Sequence, residues 1–259
     1  MQFKKLEFTN KTGQKLSARL DLPLDGNPLA YALFAHCFTC SKNLKAIAHI
    51  SRALTREGIA VFRFDFTGLG ESEGDFADTN FSSNVGDLVA AAQFMKSNFE
   101  APKILIGHSF GGAAVLQAAS AIPSSQAVVV IAAPADPGHV RNALGSTKEK
   151  IEHQGEAEVC LAGRTFRIKK QFLDELNFVN MQETLRKLNK ALLIFHSPID
   201  EVVGIENAAQ IFQAARHPKS FISLDQSDHL LTNPNDSQYV GSLIAAWAVK
   251  YIDTHLKNS

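Results

Sequence analysis

Residues 103–114 read KILIGHSFGGAA, and this stretch decides the fold that the rest of the chain must accommodate. An apolar run, Ile104 to Ile106, leads into the pattern G-x-S-x-G, and small helix-forming residues follow directly. The pattern predicts a nucleophile elbow, a sharp strand-to-helix turn with the serine exposed at its tip. Gly107 and Gly111 would remove the side chains that collide where backbones crowd around Ser109.

The composition is that of a chain able to bury a large core. Of its 259 residues, 45% are hydrophobic, and 26 basic residues balance 26 acidic ones. No stretch concentrates charge of one sign, so we expect neither a nucleic acid nor a membrane surface as partner. A small, nearly neutral substrate fits this charge balance. The sequence leaves open whether the chain forms a homodimer.

The sequence favours a cytoplasmic location. Residues 1–7, MQFKKLE, alternate like a strand and lack the apolar core of a secretory signal peptide. The longest apolar run, Ala127 to Ala133, is too short to cross a bilayer. Three cysteines, an odd number with only Cys37 and Cys40 close together, do not make a disulfide framework.

Strand and helix patterns alternate along the chain. An antiparallel hairpin, predicted over Phe3–Phe8 and Leu16–Leu22, should form one sheet edge. Runs apolar on both faces, typical of buried parallel strands, follow at Tyr31–Phe34, Val61–Phe64, Ile104–Ile106, Val128–Ile131, Leu192–Phe195 and Phe221–Leu224. Helical patterns include Leu44–Arg56, Val85–Asn98, Ile205–Ala215 and Gln238–His255. The predicted fold class is α/β, a doubly wound, mostly parallel sheet in a single domain over residues 1–259.

One crossover is much longer than a single return helix requires. It joins the apolar run ending at Ile131 to the next run, which begins near Ala191. We predict a small lid insertion at residues 135–188 that contains a β-hairpin. Its strands would be Ala157–Leu161 and Thr165–Ile168 around Ala162-Gly163-Arg164, with helices at Gln171–Leu176 and Met181–Leu188. It should overhang Ser109 and limit substrate size, with ordinary surface helices as the alternative.

A serine hydroxyl needs a base to activate it and a third group to orient that base. His229, in a loop after the last apolar run, is the best candidate among nine histidines. Asp200, in the loop after the preceding run, would orient His229, and Asp225 stays an alternative acid. We expect Asp65 to brace a glycine-rich loop.

The negative charge that develops on the substrate oxygen also needs fixed donors. The backbone N–H of Phe110, directly after Ser109, is one candidate for this oxyanion hole. The loop HCFTC at residues 36–40 would supply the other, for which we choose the N–H of Phe38. The alternative is that this loop is a structural turn only.

Five segments carry a resemblance to a known family. They are HCFTCSKN, FRFDFTGLGESEGDF, GHSFGGAAVL, HSPIDEVVGIENA and DHLL. Together they resemble the hydrolase half of bacterial proteins in which this domain is fused to an OsmC-type peroxide-reducing domain. Over nearly its whole length, the chain resembles an α/β-hydrolase-fold serine esterase. Many relatives of this fold carry His-Gly where this chain has His36-Cys37, so a positive φ at Cys37 would be strained.

The resemblance implies a serine carboxylesterase that cleaves short to medium acyl or aryl esters through an acyl-enzyme, with no metal or organic cofactor. Thioesterase, amidase and carbon–carbon hydrolase activities stay open because they use the same triad. A different class of function is a redox-linked partner domain that uses Cys37 and Cys40. The simpler expectation is that the two cysteines are buried thiols that only pack.

Overall fold

A computed structural model describes residues 2–161 and 163–252 of the chain. Within these ranges the strands are β1 Gln2–Thr9, β2 Lys15–Leu22, β3 Ala30–Ala35, β4 Ile59–Phe64, β5 Ile104–His108, β6 Ala127–Ile131, β7 Glu156–Leu161, β8 Arg164–Lys169, β9 Ala191–His196 and β10 Lys219–Ser223. The α-helices are α1 Lys45–Arg56, α2 Phe81–Asn98, α3 Phe110–Ala118, α4 Val140–Leu144, α5 Thr147–Gln154, α6 Lys170–Leu176, α7 Met181–Arg186, α8 Glu206–Ala214 and α9 Pro234–Ile252.

The main sheet has eight strands in the order β1-β2-β4-β3-β5-β6-β9-β10. β1 pairs antiparallel with β2, and β2 pairs antiparallel with β4. All further neighbours, from β4 to β10, run parallel. The predicted α/β class with a mostly parallel sheet is therefore confirmed, and the predicted hairpin lies at one edge. The carboxyl ends of the parallel strands meet at one edge of the sheet, where ligands of such folds bind.

The central strands are buried at every residue, which explains their continuous apolar runs. Alternate side chains of β5 enter two cores on opposite faces of the sheet. Leu105 joins a core with residues of α2 and α3, while Ile104 and Ile106 join one with residues of α1 and α9. Burying each such side chain stabilises the folded state by about 1.5–3 kcal/mol. Helices that cover both faces of the sheet supply this burial.

A buried ion pair braces the loops that follow β3 and β4. Lys42, 4% exposed, donates from Nζ to Oδ2 of the fully buried Asp65 over 2.6 Å. The N–H of Glu71 donates to the same carboxylate over 3.0 Å. Gly70 adopts φ +55°, and a Cβ there would lie 2.2 Å from Asp65 Oδ2. Asp65 therefore braces the glycine-rich loop as predicted.

The crossover between β6 and β9 contains α4 to α7 and a separate two-stranded sheet, β7 and β8. The predicted β-hairpin is confirmed, although Ala162 at its turn lies outside the described residues. The helices α4 and α5 were not predicted. In α5, TKEKIEHQ, only Ile151 is buried, so no apolar periodicity marks it as a helix.

The remaining predicted helices are present, with ends shifted by a few residues. Residues 253–255, the predicted end of the last helix, lie outside the described residues. In the part of the chain that is described, no helix combines the length and apolar character required to cross a bilayer.

Candidate active site

The turn between β5 and α3 places Ser109 in a constrained backbone conformation with φ 53° and ψ −124°. Such a conformation is costly for a residue with a Cβ and persists only where its surroundings hold it. A Cβ on Gly107 would lie 2.3 Å from the carbonyl oxygen of Gly111, and one on Gly111 would lie 2.3 Å from that of His36. The Ser109 N–H donates to Ile131 of β6 over 2.8 Å. Both glycines of the motif are therefore required by close backbone packing.

The three predicted residues are brought together, because His229 lies within hydrogen-bonding distance of both Ser109 and Asp200. His229 Nε2 is 2.9 Å from Ser109 Oγ, and its Nδ1 is 2.8 Å from Asp200 Oδ2. An ionised carboxylate can only accept, so the N–H of this imidazole lies at Nδ1. Nε2 is then free to accept the hydroxyl proton of Ser109, which is the arrangement that a general base requires.

Asp200 is held as a carboxylate by its hydrogen bonds. Its side chain is fully buried, and burial alone would raise its pKa. The hydrogen bond from His229 and the N–H groups of Val203 and Val202 outweigh burial and lower the pKa of Asp200 below its ordinary value. The two N–H groups each donate to Oδ1 over 2.9 Å. Asp200 therefore stays charged beside the imidazole.

The alternative acids of the same region face other partners. Asp225 accepts a hydrogen bond from the hydroxyl of Ser223 over 2.5 Å. Asp228 accepts the N–H groups of Leu230 and Thr232 at 2.9 and 3.0 Å. These bonds shape the loop that carries His229, so neither carboxylate is directed at the imidazole.

The two residues predicted to supply the oxyanion donors lie side by side. Phe110 opens α3, so its N–H is one of the donors that have no partner inside the helix. Phe38 lies in the turn after β3, and its ring centroid is 5.2 Å from that of Phe110. The arrangement brings the Phe38 turn against the first turn of α3, next to Ser109.

Cys37 and Cys40 form a disulfide, so the expectation that they are packed thiols was wrong. The Cys40 N–H donates to the Cys37 carbonyl over 3.1 Å, and this turn brings the two Cα atoms to 5.3 Å, within the range that a disulfide spans. The left-handed residue of the turn is Thr39, φ 63°, and the strain expected at Cys37 is absent. The disulfide closes the turn around Phe38.

The segment at residues 135–188 packs on the two residues predicted to supply the oxyanion donors. We call the phenylalanine cluster the rings of Phe38, Phe76, Phe110, Phe166 and Phe172. Its members come from the Phe38 turn, from the loop before α2, from α3 and from the insertion, and their neighbouring centroids are 5.1 to 6.2 Å apart. The sequence predicted that Phe38 and Phe110 lie near Ser109. The contact of these two rings with the insertion follows only from the tertiary structure.

Three buried histidines surround the site, and in each of them burial is the main cause of a lowered pKa. His36 donates from Nδ1 to the Cys37 carbonyl over 2.8 Å, in the oxyanion loop where it was predicted. His196, at the end of β9, donates from Nε2 to the Val203 carbonyl over 2.7 Å. These two rings therefore hold the backbone of the loops that carry the predicted residues Phe38 and Asp200.

The third of these histidines, His108, lies at the variable position of the elbow. It donates from Nε2 to the carbonyl oxygen of His229 over 2.7 Å, and its pKa is lowered to about 4, mainly by burial. Nothing in the motif itself marked this contact, because the partner lies in a loop that is distant in sequence.

Exposed apolar side chains lie next to Asp200 and His229 in sequence. Ile199 and Val202, on either side of Asp200, are each 57% exposed, and Leu230 next to His229 is 36% exposed. Within residues 2–161 and 163–252, no group of three His, Cys, Asp or Glu side chains is placed to hold a metal ion.

Residues 33–143 match the Hydrolase_4 family, described as "Serine aminopeptidase, S33". A solved esterase domain of a Rhodothermus marinus protein is 56% identical, with a TM-score of 0.80, and the match covers 98% of this chain and 100% of that domain. The solved α/β hydrolase domain-containing protein 10 from mouse has a TM-score of 0.78 at 23% identity, over 95% of this chain and 99% of that one.

Curated relatives match at lower identity than the Rhodothermus marinus domain. The mouse mitochondrial palmitoyl-protein thioesterase ABHD10 is 27% identical over 74% of this chain and 66% of its own length. The rat monoglyceride lipase is 29% identical over 49% of this chain and 42% of its own length. This chain thus spans less than two thirds of either relative.

The disulfide around Phe38 generates one prediction. Replacing Cys40 with Ser should lower kcat for a short-chain ester, the substrate class predicted from the sequence, by about 10-fold or more because an oxyanion donor would lose its fixed position. KM should change little. The matched control is Cys160→Ser, since Cys160 is an exposed free cysteine in β7. If Cys40→Ser kept full kcat while folded, the disulfide would not position the donor.

Acidification should destabilise the protein through His108. Its pKa in the folded state is about 4, whereas the pKa of a histidine in the unfolded chain is about 6.5. As the pH falls, the unfolded chain binds the proton first, so stability is lost from about pH 6.5 to about pH 4, by up to ~3 kcal/mol.

Urea unfolding of wild type and His108→Gln at about pH 7 and about pH 4.5 measures this contribution. The wild type should lose stability relative to the variant at the lower pH, because His36 and His196 titrate in both proteins and their effects cancel. A difference that does not change with pH would contradict the expectation.

Proposed function

Because this chain belongs to the α/β hydrolases, we propose that it is a serine carboxylesterase that hydrolyses short to medium acyl or aryl esters through an acyl-enzyme. The observation that carries the proposal is the continuous chain of hydrogen bonds from Asp200 through His229 to Ser109. The similarity to the esterase domain of Rhodothermus marinus, over nearly all of both chains, supports the same reaction class.

In the first half of the reaction, Ser109 Oγ attacks the carbonyl carbon of the ester. His229 Nε2 takes the hydroxyl proton and becomes an imidazolium, which the charge of Asp200 stabilises. The bond between the carbonyl carbon and the alcohol oxygen then breaks. His229 returns its proton to that oxygen, so the alcohol leaves neutral and an ester of Ser109 remains.

In the second half, a water molecule replaces the alcohol. His229 takes a proton from this water, the hydroxide adds to the acyl carbon, and Ser109 leaves with the proton that His229 gives back. The free carboxylic acid is released, and the enzyme returns to its starting protonation state. The developing oxyanion would be held by the N–H groups of Phe38 and Phe110.

The surroundings of the triad favour apolar substrate groups. The phenylalanine cluster includes both proposed oxyanion residues. Ile199, Val202 and Leu230 are exposed and offer apolar surface near the acid and the base. We propose that the insertion at residues 135–188 acts as the lid, with Phe172 as its contact to the oxyanion residues.

Thioester hydrolysis is a second candidate, favoured by the similarity to the mouse palmitoyl-protein thioesterase. The same nucleophile and oxyanion donors would act on a thioester, whose thiolate leaves without needing a strong acid. Parallel assays with p-nitrophenyl butyrate and butyryl-coenzyme A would separate the two: a carboxylesterase should prefer the ester in kcat/KM.

Several predictions from the sequence stay predictions. These are the single domain over residues 1–259, the cytoplasmic location, the homodimer, the absence of nucleic-acid and membrane partners, and the likeness to OsmC fusions. The redox-linked alternative now concerns a disulfide at Cys37 and Cys40 and would require its reduction. Peroxide consumption that needs both cysteines would favour it over ester hydrolysis.

The nucleophile can be tested by covalent labelling. A fluorophosphonate should add a single label to Ser109, because the elbow presents this hydroxyl to a base. Ser109→Ala should neither label nor hydrolyse p-nitrophenyl butyrate. Mass spectrometry of the intact protein and of its peptides measures the label. Labelling of the alanine variant at full stoichiometry would overturn the proposal, and Ser223→Ala serves as a control that should label like wild type.

The orienting acid can be tested with an isosteric change. Asp200→Asn should leave the fold intact but lower kcat by up to about 10⁴-fold, because an amide that donates to Nδ1 favours the wrong tautomer of His229. Asp225→Asn is the matched control and should keep nearly all activity. Steady-state kinetics with thermal melting measures both variants. If Asp225→Asn lost kcat while Asp200→Asn stayed fully active, Asp225 would be the acid that orients His229.

A further inference from the structure

His108 lies between the nucleophile and the loop that carries the proposed base. It is the last residue of β5, it is 3% exposed, and its Nε2 is 2.7 Å from the carbonyl oxygen of His229. A carbonyl oxygen only accepts, so Nε2 carries the proton. The elbow thus holds the base by a second contact, to its backbone, in addition to the contact between the Ser109 hydroxyl and the ring.

We propose that His108 is a positioning residue of the hydrolytic reaction, whose Nε2–H fixes the backbone of His229 so that the ring stays above Ser109. The inference rests on the proposed function of Ser109 and His229. His108 touches neither the substrate nor the reacting atoms, and it acts through His229 alone.

The reaction itself shows why a backbone anchor is needed. The hydrogen bond between Ser109 and the His229 ring is lost when Oγ becomes bonded to the acyl group. The ring must nevertheless stay in place, since it next has to take a proton from water. The bond from His108 goes to a backbone oxygen that takes no part in the chemistry, so it persists through the acyl-enzyme stage.

Some contacts tie the loop to β9 and α9, because the Leu224 N–H donates to the His196 carbonyl and the Ser227 hydroxyl donates to Asp236, both over 2.9 Å. Others shape the loop locally. The Ser227 N–H donates to the Leu224 carbonyl over 3.1 Å, and the Leu231 N–H donates to the Asp228 carbonyl, also over 3.1 Å. Both bonds lie within residues 224–231 and hold the loop's own form. The contact from His108 instead ties this loop to the strand that carries the nucleophile, and so it sets their separation.

A histidine at this position lowers the stability of the fold in a way that an apolar side chain of similar size would not. Its Nδ1 is buried and has no hydrogen-bond partner among the described residues. An unpaired buried polar atom costs about 1–3 kcal/mol, which an apolar side chain of similar size would not incur. The donor at Nε2 is the property of His108 that offsets this cost.

A matched pair of variants isolates the donor. His108→Gln keeps an N–H donor at about the reach of Nε2, whereas His108→Met has similar length and volume without a donor. With p-nitrophenyl butyrate, the Gln variant should stay within about threefold of wild-type kcat, and the Met variant should lose about 10- to 100-fold, the range of a lost hydrogen bond that leaves a carbonyl unpaired. KM should change by less than about twofold in both.

Two controls exclude a general effect on folding. Thermal melting should show both variants folded at the assay temperature. His49→Gln and His49→Met test the same substitutions at a histidine of α1 that contacts Ser237 of α9 over 3.0 Å, and both should keep wild-type kcat. Equal kcat for His108→Gln and His108→Met, with both proteins folded, would overturn the inference.

A readout without turnover separates this inference from the proposed function. Hydrogen–deuterium exchange of residues 225–232 should be faster in His108→Met than in wild type or His108→Gln. If Ser109 does not label and no ester is cleaved, the proposed function fails, but this exchange difference still decides whether His108 anchors the loop. If labelling and hydrolysis succeed and exchange is equal in both variants, only the role of His108 is overturned.

Discussion

The close packing of three backbones at the turn after β5 is the constraint on which the rest of the structure depends. Gly111 lies against the carbonyl of His36, and Gly107 lies against that of Gly111, so no side chain fits at either position. This contact lets Ser109 adopt a positive φ, which costs of order 1–3 kcal/mol. Central strands buried on both faces supply the rigidity that holds the turn, and Ser109 at its tip is only 8% exposed.

Burial of polar groups around this turn is the second recurring theme. Charged and imidazole side chains would be costly in the interior unless each found a partner. Asp65 is paired with Lys42, and Asp200 receives two backbone N–H groups and an imidazole. The contacts of Asp65 with Lys42 and of Asp200 with His229 join loops that leave different strands. The polar interior therefore works as a set of ties between the loops that carry functional groups.

The insertion adds an apolar contact between loops. Its Phe172 contacts Phe38 and Phe110, so aromatic surface from the insertion supports the residues whose N–H groups face the proposed oxyanion. Arg164 of β8 also lies near the Thr39 carbonyl, at 3.4 Å. Under the proposed function, changes in the insertion would alter both the shape of the substrate site and the position of an oxyanion donor, because the phenylalanine cluster contributes to both.

From the sequence alone we could predict the sheet and the elbow at Ser109, because strand periodicity and the G-x-S-x-G pattern are local properties of the chain. The assignment of Asp200 and His229 to the elbow serine is a prediction from their places after the later strands. It could not reveal the disulfide of Cys37 and Cys40, since that bond depends on the turn bringing the two Cα atoms together. The polar helix α5 was also hidden, because it has no apolar stripe. Only the tertiary structure decided that His108 meets the carbonyl of His229, since packing brings together residues that are 121 positions apart in sequence.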